Sequence, residues 1–266
     1  MSQSAFSYYG LTTNPFTKDH PYTFKSTDYL EMHARLDQVV SQKGIGLYTG
    51  ASGVGKSRIV HHFLNGLNTN LYTCCEIKET RLSSRDFYQE LAIELGLEPS
   101  HKKVVNFRNI QERIRQLESQ RITPVIVLDE AQFLSMDIFE ELLLLLNFQR
   151  DTVSNTVVLL IGTASLLDKL RYASLEALRQ RVISIYHCTG IQQDEARQYV
   201  EAKLKSAEGS LRVFDGNALT SLISHAQGSL RRLDLLTTKV LEIGVKQQQV
   251  QITLSLIESA TAEILF

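Results

Sequence analysis

Apolar residues in the first two thirds of the chain form short runs, separated by stretches in which they recur every three or four positions. The short runs predict β-strands at 46–49, 71–77, 125–128, 157–161 and 182–187. The stretches predict helices at 58–67, 84–95, 104–120, 138–150 and 175–181, after a first helix of about 15 residues whose N-cap is Asp28. Strands that are apolar on both faces and alternate with helices indicate a parallel sheet covered on both sides. The pattern therefore predicts an α/β core.

The pattern changes near Gly190. Beyond it the apolar spacing predicts helices only, at 193–207, 215–227, 230–246 and 254–265. Residues 1–27 are rich in Tyr, Phe, Thr and Pro without helical spacing, which predicts an ordered but irregular lead-in around 14–16. Three parts are therefore expected: a lead-in at 1–27, an α/β core at 28–190 and a small helical domain at 191–266.

Composition adds few constraints. Hydrophobic residues make up 43% and charged residues 21% of the 266 positions, which is ordinary for a globular protein. The net charge is -1, so any binding to nucleic acid must use a local basic patch. Cys74, Cys75 and Cys188 lack the spacing of a zinc site and are expected to be reduced core thiols.

Nothing in the sequence predicts membrane contact. The N-terminus lacks the basic segment and following apolar segment of a secretory signal. The longest apolar run, at 142–146, is far shorter than the ~18 residues that a membrane span needs. A cytoplasmic protein is therefore expected.

A glycine-rich segment lies between the first predicted strand and the next predicted helix. It fits the pattern GxxxxGK[ST] and consists of Gly50, Ala51, Ser52, Gly53, Val54, Gly55, Lys56 and Ser57. Its glycines let backbone N–H groups turn toward phosphate oxygens, and the helix that follows adds its positive end. Lys56 is expected to reach the β- and γ-phosphates of ATP, and Ser57 to ligate Mg²⁺. The alternative is a glycine-rich turn without a ligand.

Two carboxylates follow the apolar run at 125–128, as the second half of such a site requires. Asp129 is expected to hold Mg²⁺ through water, and Glu130 to act as the general base toward the attacking water. The alternative for the pair is a solvated strand end or a helix N-cap. Thr163 follows the neighbouring predicted strand and is a candidate sensor of the γ-phosphate, with an ordinary strand-end cap as its alternative.

With these motifs in place, the chain resembles the AAA+ ATPases of the ExeA-like group, which includes DNA-transposition regulators similar to TnsC. The resemblance covers nearly the whole chain. It is carried by YYGL at 8–11, NPF at 14–16, GASGVGKS at 50–57, LDEAQFLS at 128–135, IGTASLL at 161–167, LRQRV at 178–182 and GSLRRLD at 228–234. The resemblance implies a P-loop AAA+ core, a lead-in that packs on the nucleotide site, and an all-α lid.

The resemblance also implies roles for three arginines. One of Arg179 and Arg181 would be an arginine finger that reaches the ATP of a neighbouring subunit. Arg231 would contact the γ-phosphate from the lid, as a sensor II residue. A guanidinium offers a fixed fork of donors to phosphate, and its supply in trans makes hydrolysis depend on assembly. A surface ion pair is the alternative for each arginine.

The most basic stretch of the chain is a candidate DNA-binding surface. Its candidate residues are Lys102, Lys103, Arg108, Arg115 and Arg121. On the predicted helix, Arg108 and Arg115 are seven positions apart and share a face, from which they could grip DNA phosphates without reading the base sequence. A solvated face with ordinary charge pairs is the alternative. The apolar positions Phe139, Phe148 and 142–146 are expected to be core rather than a partner groove.

The sequence and the resemblance together predict an ATP-dependent regulator of DNA transposition. It is expected to form a ring or helical filament on double-stranded DNA in the ATP state, to recruit or activate a transposase together with a target-selection protein, and to disassemble on hydrolysis. Secretion-type members of the group are expected to carry a membrane segment and a cell-wall-binding portion after the ATPase, and the absence of both before Phe266 favours the transposition branch. The alternatives are a secretion-assembly ATPase of the ExeA type and a nucleotide-gated DNA loader similar to replication initiators.

Overall fold

A sheet of five parallel strands forms the centre of the α/β part of the chain. The computed structural model describes residues 4–17, 23–78, 81–146 and 155–264. The strands are β1 (Ile45–Gly50), β2 (Tyr72–Ile77), β3 (Thr123–Leu128), β4 (Val157–Gly162) and β5 (Val182–Cys188). Their order in the sheet is β2-β3-β4-β1-β5, and every pair of neighbours is parallel. The predicted parallel sheet is therefore confirmed.

Burial along the strands explains why these runs were recognisable. Every residue of β1, β3 and β4 is buried, as expected for strands that are covered on both faces. The edge strand β5 instead alternates, and its Ile183 and Ile185 are exposed. The central strands thus supply most of the apolar signal, and they also place their carboxyl ends side by side.

Helices flank the sheet and precede or follow its strands along the chain. In the α/β part these are α2 (Thr27–Gln42), α3 (Lys56–Gly66), α4 (Ser84–Glu94), α5 (Lys103–Ser119), α6 (Met136–Leu146), α7 (Ser165–Leu170) and α8 (Glu176–Arg179), whereas the preceding α1 (Ser4–Ser7) groups with the C-terminal helices. The core beneath them includes Phe87, Ile114 and Leu160, all almost fully buried. Phe139, Leu142, Leu145 and Leu146 on α6 belong to the same core, as predicted. The prediction was wrong for Leu144, which is exposed, and Phe148 lies outside the described residues.

Two leucines on α6 provide a direct test of this core. Leu142 is 0% exposed and Leu144 is 56% exposed. We expect Leu142→Ala to lower the free energy of unfolding by about 2–5 kcal/mol, because it removes buried methyl groups and leaves a cavity. The matched control Leu144→Ala should stay within about 0.5 kcal/mol of the parent. Urea unfolding of both variants measures the difference, and equal losses would show that α6 does not pack as described.

The last part of the chain is helical. Its helices are α9 (Gln193–Ser206), α10 (Ala218–Ala226), α11 (Leu230–Lys246) and α12 (Leu254–Ile264). Helix α11 packs against α10 and α12 around a separate core that includes Leu222, Leu236 and Ile257. Residues from the lead-in, Tyr9 and Leu11, are buried in this same core.

The chain divides into two compact units. The sheet unit comprises Glu31–Gly50 and Lys56–Cys188, and the helical unit comprises Met1–Leu30, Ala51–Gly55 and Thr189–Phe266. In the helical unit, the buried Lys203 ammonium donates to the Pro15 carbonyl at 2.8 Å, which ties the lead-in to α9. The lead-in thus groups with the C-terminal helices, and the chain returns to the helical unit at Thr189.

Several local predictions were wrong in detail. Helix α2 is capped by Ser26, whose hydroxyl accepts the Tyr29 N–H at 3.2 Å, and not by Asp28. The buried Asp28 carboxylate instead accepts the Gly190 N–H at 2.7 Å. The segment predicted as one helix at 175–181 is a 3-10 turn at Ala173–Leu175 followed by the short α8. The lead-in contains the short α1, and the predicted end of the 138–150 helix lies outside the described residues.

All three cysteines are free thiols. Cys75 and Cys188 are buried, whereas Cys74 is only partly buried. Burial raises the pKa of the Cys74 thiol to about 11 and that of Cys75 to about 12, and nearby carboxylates add to both shifts. Since the thiolate is the reactive form, neither of these two thiols is a nucleophile near neutral pH.

Candidate nucleotide site

The glycine-rich segment turns sharply between β1 and α3, as its motif requires. Gly53 and Gly55 have φ values of 82° and 108°, a backbone conformation that side chains with a Cβ rarely adopt. Lys56 is the first residue of α3, and its side chain is only 7% exposed. Its ammonium donates to the Gly50 carbonyl at 2.9 Å. The loop therefore holds a buried cation at the start of a helix, where the helix dipole is also positive.

The two predicted carboxylates follow β3 directly. Asp129 is half-buried and Glu130 is exposed. The Asp129 carboxylate accepts the Glu130 N–H at 2.9 Å. Glu130 itself has φ 51° and ψ 36°, in the left-handed region that non-glycine residues seldom occupy. Backbone strain of this kind is concentrated at functional sites, so the turn supports a special role for Glu130.

Gln132 is a site residue that the sequence prediction missed. Its side-chain amide donates from Nε2 to Glu130 Oε2 at 2.7 Å, while its Oε1 accepts the Thr163 N–H at 3.0 Å. It therefore joins the ends of β3 and β4, which are neighbours in the sheet. Its signals in the sequence are its place in the LDEAQFLS segment and its polar side chain two positions after Glu130 in an otherwise apolar turn.

Lys169 fixes the backbone of the same turn. Its ammonium, on α7, donates to the carbonyls of Gln132 and Leu134 at 2.6 and 2.7 Å. Burial lowers the pKa of this ammonium below its ordinary value. The turn after Glu130 is thus held from two sides, through the side chain of Gln132 and through its carbonyl.

Thr163 lies where it was predicted, directly after β4. Its backbone N–H is bound by Gln132, and its hydroxyl lies 2.8 Å from the Ser165 hydroxyl at the start of α7. Thr163 is therefore joined to the Glu130 side chain through one amide. Its role as a γ-phosphate sensor stays a prediction.

Within the helical unit, Arg231 contacts Ser52 and Gly53. The Arg231 guanidinium donates to the Ser52 hydroxyl at 3.2 Å, and its backbone N–H donates to the Gly53 carbonyl at 3.2 Å. A Cβ added to Gly53 would lie 2.5 Å from the hydroxyl of Ser229, the N-cap of α11. The first turn of α11 and residues 52–53 therefore fit closely only because position 53 is glycine.

Both arginine-finger candidates have carbonyl partners within the sheet unit. Arg179 donates to the carbonyls of Leu170 and Tyr172 at 2.6 and 2.8 Å. Arg181 donates to the Leu146 carbonyl at 3.2 Å. Both guanidinium groups thus donate to backbone carbonyls of their own unit. The assignment of a trans-acting role to one of them stays a prediction.

The basic residues around α5 do not form one uniform group. Lys102, Arg108, Arg115 and Arg121 are exposed, and Arg115 makes an ion pair with Glu112 at 3.3 Å across one helical turn. Lys103 is different, because it pairs with Glu141, whose carboxylate also accepts the Tyr88 hydroxyl at 2.8 Å. Lys103 is also exposed, but it helps to join α5 to α6, which makes it a poorer candidate for DNA contact than its neighbours.

Two features are absent from residues 4–17, 23–78, 81–146 and 155–264. Among these residues, no group of three or more His, Cys, Asp or Glu side chains is arranged to hold a metal ion. Over the same part of the chain, no helix combines the length and apolarity needed to cross a membrane.

Comparisons with known proteins agree with this geometry. A family model described as an AAA domain matches residues 37–170, which is half of the chain. The general secretion pathway protein A of Aeromonas hydrophila is 28% identical over 240 residues, covering 88% of this chain and 44% of that protein. This chain therefore spans less than half the length of that curated relative.

Two solved structures share the fold. The structure of Drosophila ORC bound to DNA matches with a TM-score of 0.69 at 18% identity, and the match covers 99% of this chain and 66% of that chain. The Aeropyrum pernix ORC2 protein, solved in ADPNP-ADP complexes, matches with a TM-score of 0.66 at 13% identity, and the match covers 94% of this chain and 71% of that chain. At such low identities the likeness establishes the fold: a P-loop AAA+ parallel sheet flanked by helices, with a helical C-terminal region.

Proposed function

We propose, on the premise that this chain belongs to the AAA domain family, that it hydrolyses ATP and that its ATP-bound form assembles on double-stranded DNA to regulate transposition. One observation supports the ATPase activity more than any other. The buried Lys56 lies at the first residue of α3, after β1, and the Glu130 carboxylate lies directly after β3, in the order that the motifs require. The fold, shared with a protein solved in ADPNP-ADP complexes, is consistent with ATP as the ligand.

The residues around the loop fit a magnesium nucleotide. The positive φ values of Gly53 and Gly55 allow backbone N–H groups to turn toward phosphate oxygens. Lys56 would exchange the Gly50 carbonyl for phosphate oxygens, and the exposed Ser57 hydroxyl together with Asp129 would hold Mg²⁺. When bound, Mg²⁺ neutralises charge that develops on the phosphates.

Hydrolysis would use Glu130 as the base. Its carboxylate accepts a proton from the water that attacks the γ-phosphorus, and ADP leaves with the electron pair of the broken P–O bond. Arg231 would contact the γ-phosphate, with Thr163 as the sensor after β4. Arg179 or Arg181 would act on the ATP of a neighbouring copy, so that turnover depends on the homo-oligomer.

The role in transposition is supported by the resemblance to TnsC-like regulators and by the exposed basic residues around α5. In this role the ATP-bound oligomer recruits or activates a transposase, with a target-selection protein, and hydrolysis releases the assembly. The 28% identity to the general secretion pathway protein A favours a second candidate, an ATPase that remodels a secretion complex. The fold of Drosophila ORC bound to DNA favours a third, a nucleotide-gated DNA loader.

The decisive experiment measures assembly on long random-sequence duplex DNA by light scattering, with ATP, with ADP and without nucleotide. We expect assembly with ATP only. The variant Lys102→Glu/Arg108→Glu should weaken binding at least about tenfold and lower the dependence on salt by about one ion per lost phosphate contact. These two exposed residues are preferred to Lys103, whose replacement would also disturb Glu141.

A matched control carries the same charge change on α9, as Arg197→Glu/Lys205→Glu, at two exposed positions. It should bind DNA within a few-fold of the parent. An ATPase that ignores DNA in every nucleotide state would contradict the role in transposition and favour the secretion candidate. Binding that depends strongly on DNA sequence would instead favour the loader.

A further inference from the structure

The side-chain amide of Gln132 fills a space beside Gly162, between Glu130 and Thr163. A Cβ added to Gly162 would lie 2.5 Å from Gln132 Oε1. Gly162 has no positive φ, so its backbone does not itself require glycine. The lack of a side chain at this position is therefore explained by the space that the Gln132 amide needs.

The chemistry of the two contacts also fixes the direction of the amide. Its oxygen accepts the Thr163 N–H, and its nitrogen donates to the Glu130 carboxylate. In the reversed orientation, an NH₂ group would face an N–H donor and an oxygen would face a carboxylate, which gives two repulsive contacts. Because the Lys169 ammonium also binds the Gln132 carbonyl, the residue is held at both its backbone and its side chain.

We infer that Gln132 is a positioning residue for Glu130. The Gln132 amide holds one Glu130 carboxylate oxygen near the end of β4, so that the other oxygen is free to take the proton of the attacking water. The inference rests on the proposed ATPase activity. Glu130 is exposed, and an exposed carboxylate without such a contact samples several rotamers. A base that is displaced by as little as about 1 Å loses a large part of its catalytic effect. Gln132 would therefore act on catalysis through Glu130, the side chain that it contacts.

The test compares steady-state ATP hydrolysis by Gln132→Ala, Gln132→Glu and Gly162→Ala with the wild type. Gln132→Ala should lower kcat at least about tenfold while the KM for ATP changes less than about threefold, since the contact orients a base and does not bind phosphate. Gly162→Ala keeps Gln132 but displaces its amide, so it should lower kcat in the same direction. Gln38→Ala, at an exposed position on α2, is the control and should match the wild type.

Gln132→Glu gives a signature that a merely structural role would not produce. The new carboxylate can still accept the Thr163 N–H, so the turn is retained. It faces the Glu130 carboxylate, however, so the amide N–H that holds Glu130 is lost and the two like charges repel each other. Gln132→Glu should therefore lower kcat at least as much as Gln132→Ala, with the KM for ATP again changed less than about threefold.

The outcomes separate this inference from the proposed function. If the wild type hydrolyses no ATP with or without DNA, the proposed function fails, and the inference fails with it. If the wild type is active and Glu130→Gln is not, but Gln132→Ala and Gln132→Glu both retain the wild-type kcat, the inference alone is overturned. Melting temperatures and binding of a fluorescent ATP analogue, measured on each variant, identify any loss of kcat that comes from unfolding or from weak binding.

Discussion

Replacement of Glu130 by Gln is expected to lower ATP turnover at least about 100-fold while ATP binding stays within a few-fold of the wild type. The amide has nearly the same shape as the carboxylate, and its oxygen can still accept the Gln132 N–H, so the local geometry is retained. It cannot take a proton from water, and general-base catalysis is therefore lost. Phosphate release and binding of a fluorescent ATP analogue measure the two quantities separately.

The same variant tests whether hydrolysis drives disassembly. With ATP hydrolysis blocked, the proposed oligomers on DNA should persist for as long as ATP is present, whereas those of the wild type should dissolve as ATP is consumed. Glu140→Gln, at an exposed position on α6, is the control and should behave as the wild type. Normal turnover in Glu130→Gln would show that another group is the base, and the assignment of Glu130 would then be wrong.

The site was predictable as far as it depends on contiguous motifs. The glycine-rich loop and the carboxylates after β3 are read from neighbouring positions, and the buried strand that precedes each of them has a clear apolar pattern. Gln132 was not predictable in this way, because its importance arises only when β3 and β4 pair in the register that brings it to the Thr163 N–H. Sequence periodicity does not report which strands are neighbours.

Helix ends were less predictable for a related reason. Asp28 and Ser26 are both good N-cap residues, and local propensity does not decide between them. The choice depends on Gly190, more than 150 positions away in the chain. Its N–H donates to the Asp28 carboxylate at 2.7 Å, so that this carboxylate does not cap the helix. The short α7 was missed because its six residues are too few to show helical periodicity. It is nevertheless the helix that carries Lys169 to the turn after Glu130.

Replacement of Lys56 by Met is expected to weaken binding of ATP with Mg²⁺ by about 10- to 150-fold, since a hydrogen bond from a charged donor to phosphate contributes about 1.5–3 kcal/mol. The protein should nevertheless remain folded. Met keeps most of the apolar stem and removes an ammonium that is only 7% exposed, so the desolvation cost of the buried charge disappears together with its bond to the Gly50 carbonyl. We therefore expect the free energy of unfolding without nucleotide to fall by no more than about 1 kcal/mol.

Thermal melting with and without MgATP separates the two effects of this variant. A ligand that binds only the folded state raises the melting temperature in proportion to the logarithm of its concentration above Kd. The wild type and the control Lys205→Met, at an exposed position on α9, should both show this rise, and Lys56→Met should show little of it. An equal rise in Lys56→Met would mean that the nucleotide is held without this ammonium, whereas a low melting temperature in the absence of nucleotide would mean that the lysine mainly stabilises the loop.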